Sequence, residues 1–207
     1  MEETLKKYFT RYQDSLHEAM HYAKTNIDAR EQLEKLKLEI VQTKLAGGKI
    51  IFTGVGKNVF ACQKLAASYS SIGIPTIFLD AVHAVHGDLG IVDGNDTIIA
   101  MSKSGNTSEL INMLKHLEYN RHHFPSKVWG IDCGKVDNGF DNFCHETIHL
   151  YIPNEIDDMN LVPTVSAIML QIAGDLVGVA AAEQLGLNPE LYGFNHPGGT
   201  IGKTLKK

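Results

Sequence analysis

Five short apolar, β-branched runs, set among stretches with apolar residues three or four apart, leave this chain a narrow choice of folds. The runs Lys49–Thr53, Thr76–Asp80, Thr97–Met101, Lys127–Ile131 and Thr147–Ile152 read as strands. Helical spacing covers Asn58–Ile72 and Thr107–His122, a weaker stretch begins near Val82, and a long one, Thr164–Leu185, follows the last strand. Strands apolar throughout, alternating with helices, predict a parallel sheet covered on both faces. The expected fold class is α/β, a three-layer α/β/α sandwich around a five-stranded parallel sheet. In such sheets ligands lie beyond the carboxyl ends of the strands. That rule gathers Gly54–Lys57, His83–Asp88 and Ser102–Thr107 at one rim.

Two helices precede the first strand. Leu5, Phe9, Tyr12, Leu16 and Met20 set out a helix from Glu2 to Thr25. Asp28 with Glu31 resembles a capping box opening a second helix, which carries Leu33, Leu36, Ile40, Val41 and Leu45 inward and ends at Gly47-Gly48. This pair, residues 1–47, is expected to pack on the core or on another subunit. With 207 residues and no repeat, low-complexity segment or linker, the chain reads as one domain over residues 1–207.

A net charge of −5 argues against a nucleic-acid partner. The charged N-terminus lacks the apolar segment of a secretory signal, and no apolar run approaches the roughly 20 residues of a spanning helix, so no membrane role is expected. Cys62, Cys133 and Cys144 are scattered without a CxxC spacing, which suggests neither a disulfide framework nor a zinc ribbon. A cytoplasmic location is expected.

The chemistry centres on Ser102-Lys103-Ser104-Gly105-Asn106-Thr107, between the third strand and the helix that follows. The free N–H groups and positive dipole of a helix start favour an anion. Ser102, Ser104 and Thr107 add hydroxyl donors, and Gly105 lets the backbone curl round a ligand. The competing reading is that these residues are only helix caps.

Gly54-Val55-Gly56-Lys57 follows the first strand. A dinucleotide fingerprint needs a third glycine where Val59 stands, although Asp80 ends the next strand at a suitable distance. A Walker loop needs glycine and Ser/Thr where Ile51 and Asn58 stand. What remains is a tight turn presenting Lys57 at the rim, or a solvated surface lysine. His83 and His86 would share a helical face, yet no third metal ligand is fixed by spacing, so no metal or other cofactor is expected. Proton donation or carbonyl polarisation suits His86 better. Glu155, just past the last strand, would serve as a general base if burial raised its pKa toward neutrality, whereas Asp157 and Asp158 read as an acidic turn in water. His196 lies in a turn-rich segment, Phe194–Gly202, shaped by glycine and proline.

GVGK at Gly54–Lys57, HGDLG at His86–Gly90, SKSGNTSEL at Ser102–Leu110, LVPT at Leu161–Thr164 and HPGGTIGKTL at His196–Leu205 occur in that order. With this set the chain resembles the sugar isomerase (SIS) domain family, most of all the SIS domain of arabinose-5-phosphate isomerases. The resemblance implies a flavodoxin-like sheet order and a phosphorylated sugar held by the Ser/Thr loop. It further implies homo-oligomers, dimeric or tetrameric, with sites at subunit interfaces. It carries catalytic roles to Lys57, Glu155, His86 and His196, and ligand binding to Gly56, Ser102, Ser104, Gly105, Asn106 and Thr107. The expected reaction is an aldose–ketose isomerisation through an enediolate, with Glu155 as base, His86 or His196 polarising the carbonyl and opening the ring, and Lys57 facing the oxyanion. Two departures stand out. Asn106 replaces the glutamate of the family's SGE loop, with Glu109 one turn later, which favours the alternative of a phosphosugar-binding or sensing module without turnover. The sequence ends after GKTLKK, where many arabinose-5-phosphate isomerases continue into paired CBS domains, so that pair is expected to be missing.

Overall fold

The structure, a computed structural model, describes residues 2–205. Its elements in chain order are α1 (Glu2–Thr25), α2 (Ile27–Leu45), β1 (Ile50–Gly54), α3 (Asn58–Ser71), β2 (Thr76–Phe78), α4 (Ala81–Ala84), β3 (Thr97–Ser102), α5 (Ser108–Tyr119), β4 (Lys127–Asp132), α6 (Gly139–Phe143), β5 (Glu146–His149), α7 (Val165–Gln184), α8 (Pro189–Asn195) and α9 (Gly199–Leu205). A 3₁₀ turn over Asp88–Ile91 follows α4.

All five expected strands are present and every pairing is parallel, in the order β2-β1-β3-β4-β5. Alternating side chains divide the core into two layers, as a period of two requires. Phe52, Met101 and Ile131 face α2, α3 and α7, while Ile51, Ala100 and Val128 face α4, α5 and α6. The helices therefore cover both faces of the sheet, giving three layers. Burying a leucine- or phenylalanine-sized side chain in such a core contributes about 1.5–3 kcal/mol.

The second helix is capped differently from expectation. Asn26, rather than Asp28, is its N-cap, its side chain accepting from Ala29 N at 2.9 Å. Asn26 is the shorter route to that N–H because Asp28 is already inside the first turn.

α7 corrects a second expectation. It is long and apolar enough to cross a membrane by length and composition, yet 56% of its most apolar window is buried inside the fold. Gly178 on α7 leaves room for the Tyr69 ring of α3, and the Tyr69 hydroxyl donates to Gly174 O at 2.7 Å. α1 lies outside α7, burying Ala19 beside Val165 and Met169.

The turn-rich C-terminal segment holds two short helices that periodicity missed. α8 begins at a proline capped by Asn188, and His196 is its C-cap.

Candidate functional site

Sheet order reverses between β1 and β3, and a doubly wound sheet opens its crevice at that reversal. Two turns flank it: Val55–Lys57 after β1 and Lys103–Thr107 after β3.

The second turn is built around the buried Ser102. Its Oγ accepts from Ser104 N at 3.3 Å and Gly105 N at 3.2 Å, and lies 3.0 Å from Thr107 Oγ1. Gly105 has φ +67°, and a side chain there would overlap Asn138. Thr107 holds the N-cap position of α5 but makes no capping hydrogen bond. Asn106 works as a staple: its Nδ2 donates to Ser104 O at 3.2 Å, and its Oδ1 accepts from Gly139 N at 2.8 Å. A twelve-residue helix therefore starts at this turn without a side-chain cap from Thr107, and its dipole favours an anion.

The wall behind the turn is a polar network after β4. The fully buried Asp132 accepts from Gly134 N at 2.8 Å and Asn138 Nδ2 at 2.8 Å. Its Oδ1 also meets His149 Nδ1 at 3.1 Å, and His149 Nε2 lies 3.0 Å from Asp141 Oδ1. Burial pushes the Asp132 carboxyl up, against the hydrogen bonds from Asn138, His149 and Gly134 and the attraction of His149.

Glu155 reaches this rim from the segment joining β5 to α7, and it is 2% exposed. Its Oε2 accepts from Thr164 N at 2.8 Å, Thr164 Oγ1 at 2.9 Å and Ser166 N at 3.3 Å. Oε1 accepts from Ser166 Oγ and pairs with Lys103 Nζ at 2.8 Å. Burial works to raise the carboxyl, but Lys103, Ser166 and Thr164 together bring it down to about 2. The expectation that burial carries this group toward neutrality is thus corrected, because donors surround the carboxylate. Asp157 and Asp158 part company with it: Asp157 closes a local turn onto Leu161 N and Val162 N, and Asp158 pairs with Lys7 and Arg11 of α1. Arg11 also holds Ile156 O at 3.1 Å, so α1 secures the segment that carries Glu155.

Lys57 is exposed at the N-cap of α3, after Gly56 at φ +64°. His83 and His86 are exposed at the rim beyond β2, where Asp80 is spent capping α4 through Val82 N and His83 N. Among the described residues no group of three His, Cys, Asp or Glu is gathered for a metal ion.

His196 lies elsewhere. α3 runs from the rim at Asn58 down to Ser71 at the opposite sheet edge, and Asn195 Nδ2 donates to Ser71 O at 3.3 Å there. His196 stacks on Tyr192 and bonds its carbonyl at 2.8 Å. Lys57, His86, Glu155 and the Ser102–Thr107 turn thus share the carboxyl rim, and His196 stands at the far end. Lys103 is the residue that sequence reasoning passed over. Its only signal was position, inside the serine-rich turn.

The model of the SIS domain matches residues 46–175. The arabinose 5-phosphate isomerase KdsD of Francisella tularensis is 30% identical over 191 residues, 91% of this chain and 55% of that protein. KdsD of Pseudomonas aeruginosa is 30% identical over 162 residues, 78% of this chain and 48% of the relative. The chain thus spans about half the length of these curated relatives. Among solved structures, protein c3406 of E. coli CFT073 in complex with arabinose 5-phosphate superposes with a TM-score of 0.81 at 26% identity, over 94% of this chain and 96% of that one.

Proposed function

This chain belongs to the SIS domain family, and on that premise we propose that it is a sugar-phosphate isomerase interconverting an aldose and a ketose phosphate. The observation that carries the reading is the turn between β3 and α5. Its helix start has no side-chain cap from Thr107, and it carries the hydroxyls of Ser102, Ser104 and Thr107, as a phosphate monoester requires. The likeness to KdsD proteins and to the sugar-phosphate complex of c3406 makes ribulose 5-phosphate and arabinose 5-phosphate the first pair to test.

Isomerisation moves a proton between C1 and C2 and needs a base, a group that polarises the carbonyl and an anchor that fixes the pose. Glu155 takes the proton. Lys57, flexible and exposed, faces the oxyanion that develops. His86 of the same chain polarises the carbonyl or opens the ring, and His196 joins from a second copy, since its own rim is a sheet length away. The sites accordingly lie between subunits.

Solvent deuterium entering C1 or C2 of a pentose phosphate is the measurement. Glu155→Gln should slow exchange by about 10²–10⁴-fold, the usual worth of a positioned base, while phosphate still binds. Unaltered exchange removes Glu155 from the role. The second reading, a module that binds a phosphosugar without turning it over, is favoured by Asn106, whose side chain is committed to Ser104 O and Gly139 N. Binding of the sugar phosphate with no exchange into either carbon establishes it.

A further inference from the structure

Lys103 stands in the middle of the anion turn, yet its charge is spent elsewhere. Its backbone links Ser102 to Ser104, and its carbonyl accepts from Cys133 N at 3.1 Å. Its ammonium crosses to Glu155 Oε1, joining a side chain 38% exposed to one that is fully buried. The other groups on that carboxylate are neutral, the N–H and hydroxyl of Thr164 and of Ser166. Among the described residues, Lys103 carries the one full positive charge within ion-pair distance of Glu155.

An ammonium at that distance favours the charged form of a carboxylate strongly, whereas a buried carboxylate deprived of it drifts toward the neutral form. A phosphate ester in the turn acts on the same pair in two ways that agree in sign. It attracts the one cation whose backbone belongs to the turn, and it brings negative charge toward Glu155. A lysine suits this exchange, because its long stem lets a compact charge change partners.

We propose that Lys103 is a positioning residue that locks Glu155 in its ionised state while the turn is empty, and that an anion held by Ser102–Thr107 competes for its ammonium and loosens the lock. This rests on the reading of that turn as the phosphate site. It also gives the phosphate a role beyond anchoring: the substrate's non-reacting end prepares the base for its reacting end. Coupling is reciprocal, so the state of Glu155 in turn alters how tightly the anion is held.

The test is a carboxyl carbon-13 NMR titration of glutamate-labelled protein between pH 3 and 8, with the Glu155 signal identified by its loss in Glu155→Gln. In the native chain that signal should stay ionised across most of the range, and saturating inorganic phosphate should move its midpoint upward. In Lys103→Gln the midpoint should stand about 1–3 pH units higher without phosphate, and phosphate should then add little. Lys103→Arg, which keeps the charge, should restore the native behaviour. A Glu155 midpoint unmoved by Lys103→Gln overturns the lock. So does a Glu155 signal indifferent to phosphate that perturbs the amides of Ser104–Thr107. Phosphate that perturbs none of those amides instead defeats the reading of the turn as an anion site, and the comparison of Lys103→Gln with Lys103→Arg still decides the ion pair.

Discussion

The hydroxyls of Ser102 and Thr107 meet at 3.0 Å across the turn joining β3 to α5, so Thr107 occupies the capping position without capping. That pairing separates two uses of the same residue types. A cap spends its hydroxyl on the helix, whereas here the hydroxyls face each other over free N–H groups.

Thr107→Val keeps the shape of the side chain and removes only the hydroxyl. With no capping bond to lose, unfolding free energy should change by less than about 1 kcal/mol. Phosphate affinity should fall roughly 10-fold, since a hydrogen bond to a charged group contributes about 1.5–3 kcal/mol. Urea unfolding and phosphate titration calorimetry measure the two. A large stability loss with unaltered affinity would return Thr107 to the ranks of caps.

Gly105→Ala meets two obstacles together, a backbone at φ +67° and the Asn138 side chain where its Cβ would stand. Left-handed backbone alone costs a non-glycine residue about 1 kcal/mol or more. The variant should melt several degrees lower and bind phosphate more weakly. Melting equal to the native chain's would mean that the turn has freedom to shift.

Acid unfolding reports on Glu155. Its folded pKa of about 2 lies below the ordinary glutamate value of roughly 4.3, so it stabilises the fold above the latter. That stability disappears as pH falls from about 4.3 through 2. The linked contribution is on the order of 3 kcal/mol. Urea unfolding at stepped pH between 5 and 3 should show a steeper loss for the native chain than for Glu155→Gln. Parallel slopes would show that the carboxylate is not held as the geometry suggests.

His149 bridges two carboxylates, Asp132 at 3.1 Å and Asp141 at 3.0 Å. Asp132 is raised by burial, so the stability linked to it is fully present below the unfolded carboxylate range and lost as pH rises through its folded value. His149→Phe removes a partner that restrains this rise. Its melting deficit should therefore be small near pH 4 and grow toward pH 7. A deficit constant with pH would mean that only packing was lost.

Legibility in the sequence followed the strength of local signals. The strands were readable because each is a continuous β-branched run, and their ends shifted by only a few residues. β5, expected over Thr147–Ile152, pairs over Glu146–His149, since edge pairing ends where β4 does. α6 was invisible: five residues are too few for a period, and only its Asn138–Asp141 capping box marks it. The anion turn could be read because its donors are contiguous. Glu155 could not be told from Asp157 and Asp158, because burial is decided by Thr164, Ser166 and Lys103, each distant in sequence or unmarked by type. The position of His196 at the opposite sheet edge depends on the direction of α7, which no local pattern encodes.

That position yields the sharpest test of sites shared between subunits. A Ser102→Ala chain damages the turn and a His196→Ala chain damages the distant histidine, so each alone should turn over poorly. In a mixed dimer, one site would combine both defects, and the other would combine an intact turn with an intact His196 from the neighbour. Random mixing of equal amounts makes half the dimers mixed, so recovered activity should approach about a quarter of native. Unfolding and refolding the two together, with isomer exchange as readout, supplies the measurement. Recovery requires that residues at opposite edges of one chain meet across an interface. A mixture no more active than its components would confine the chemistry to the rim of a single chain and leave His196 as the stacked, hydrogen-bonded end of α8.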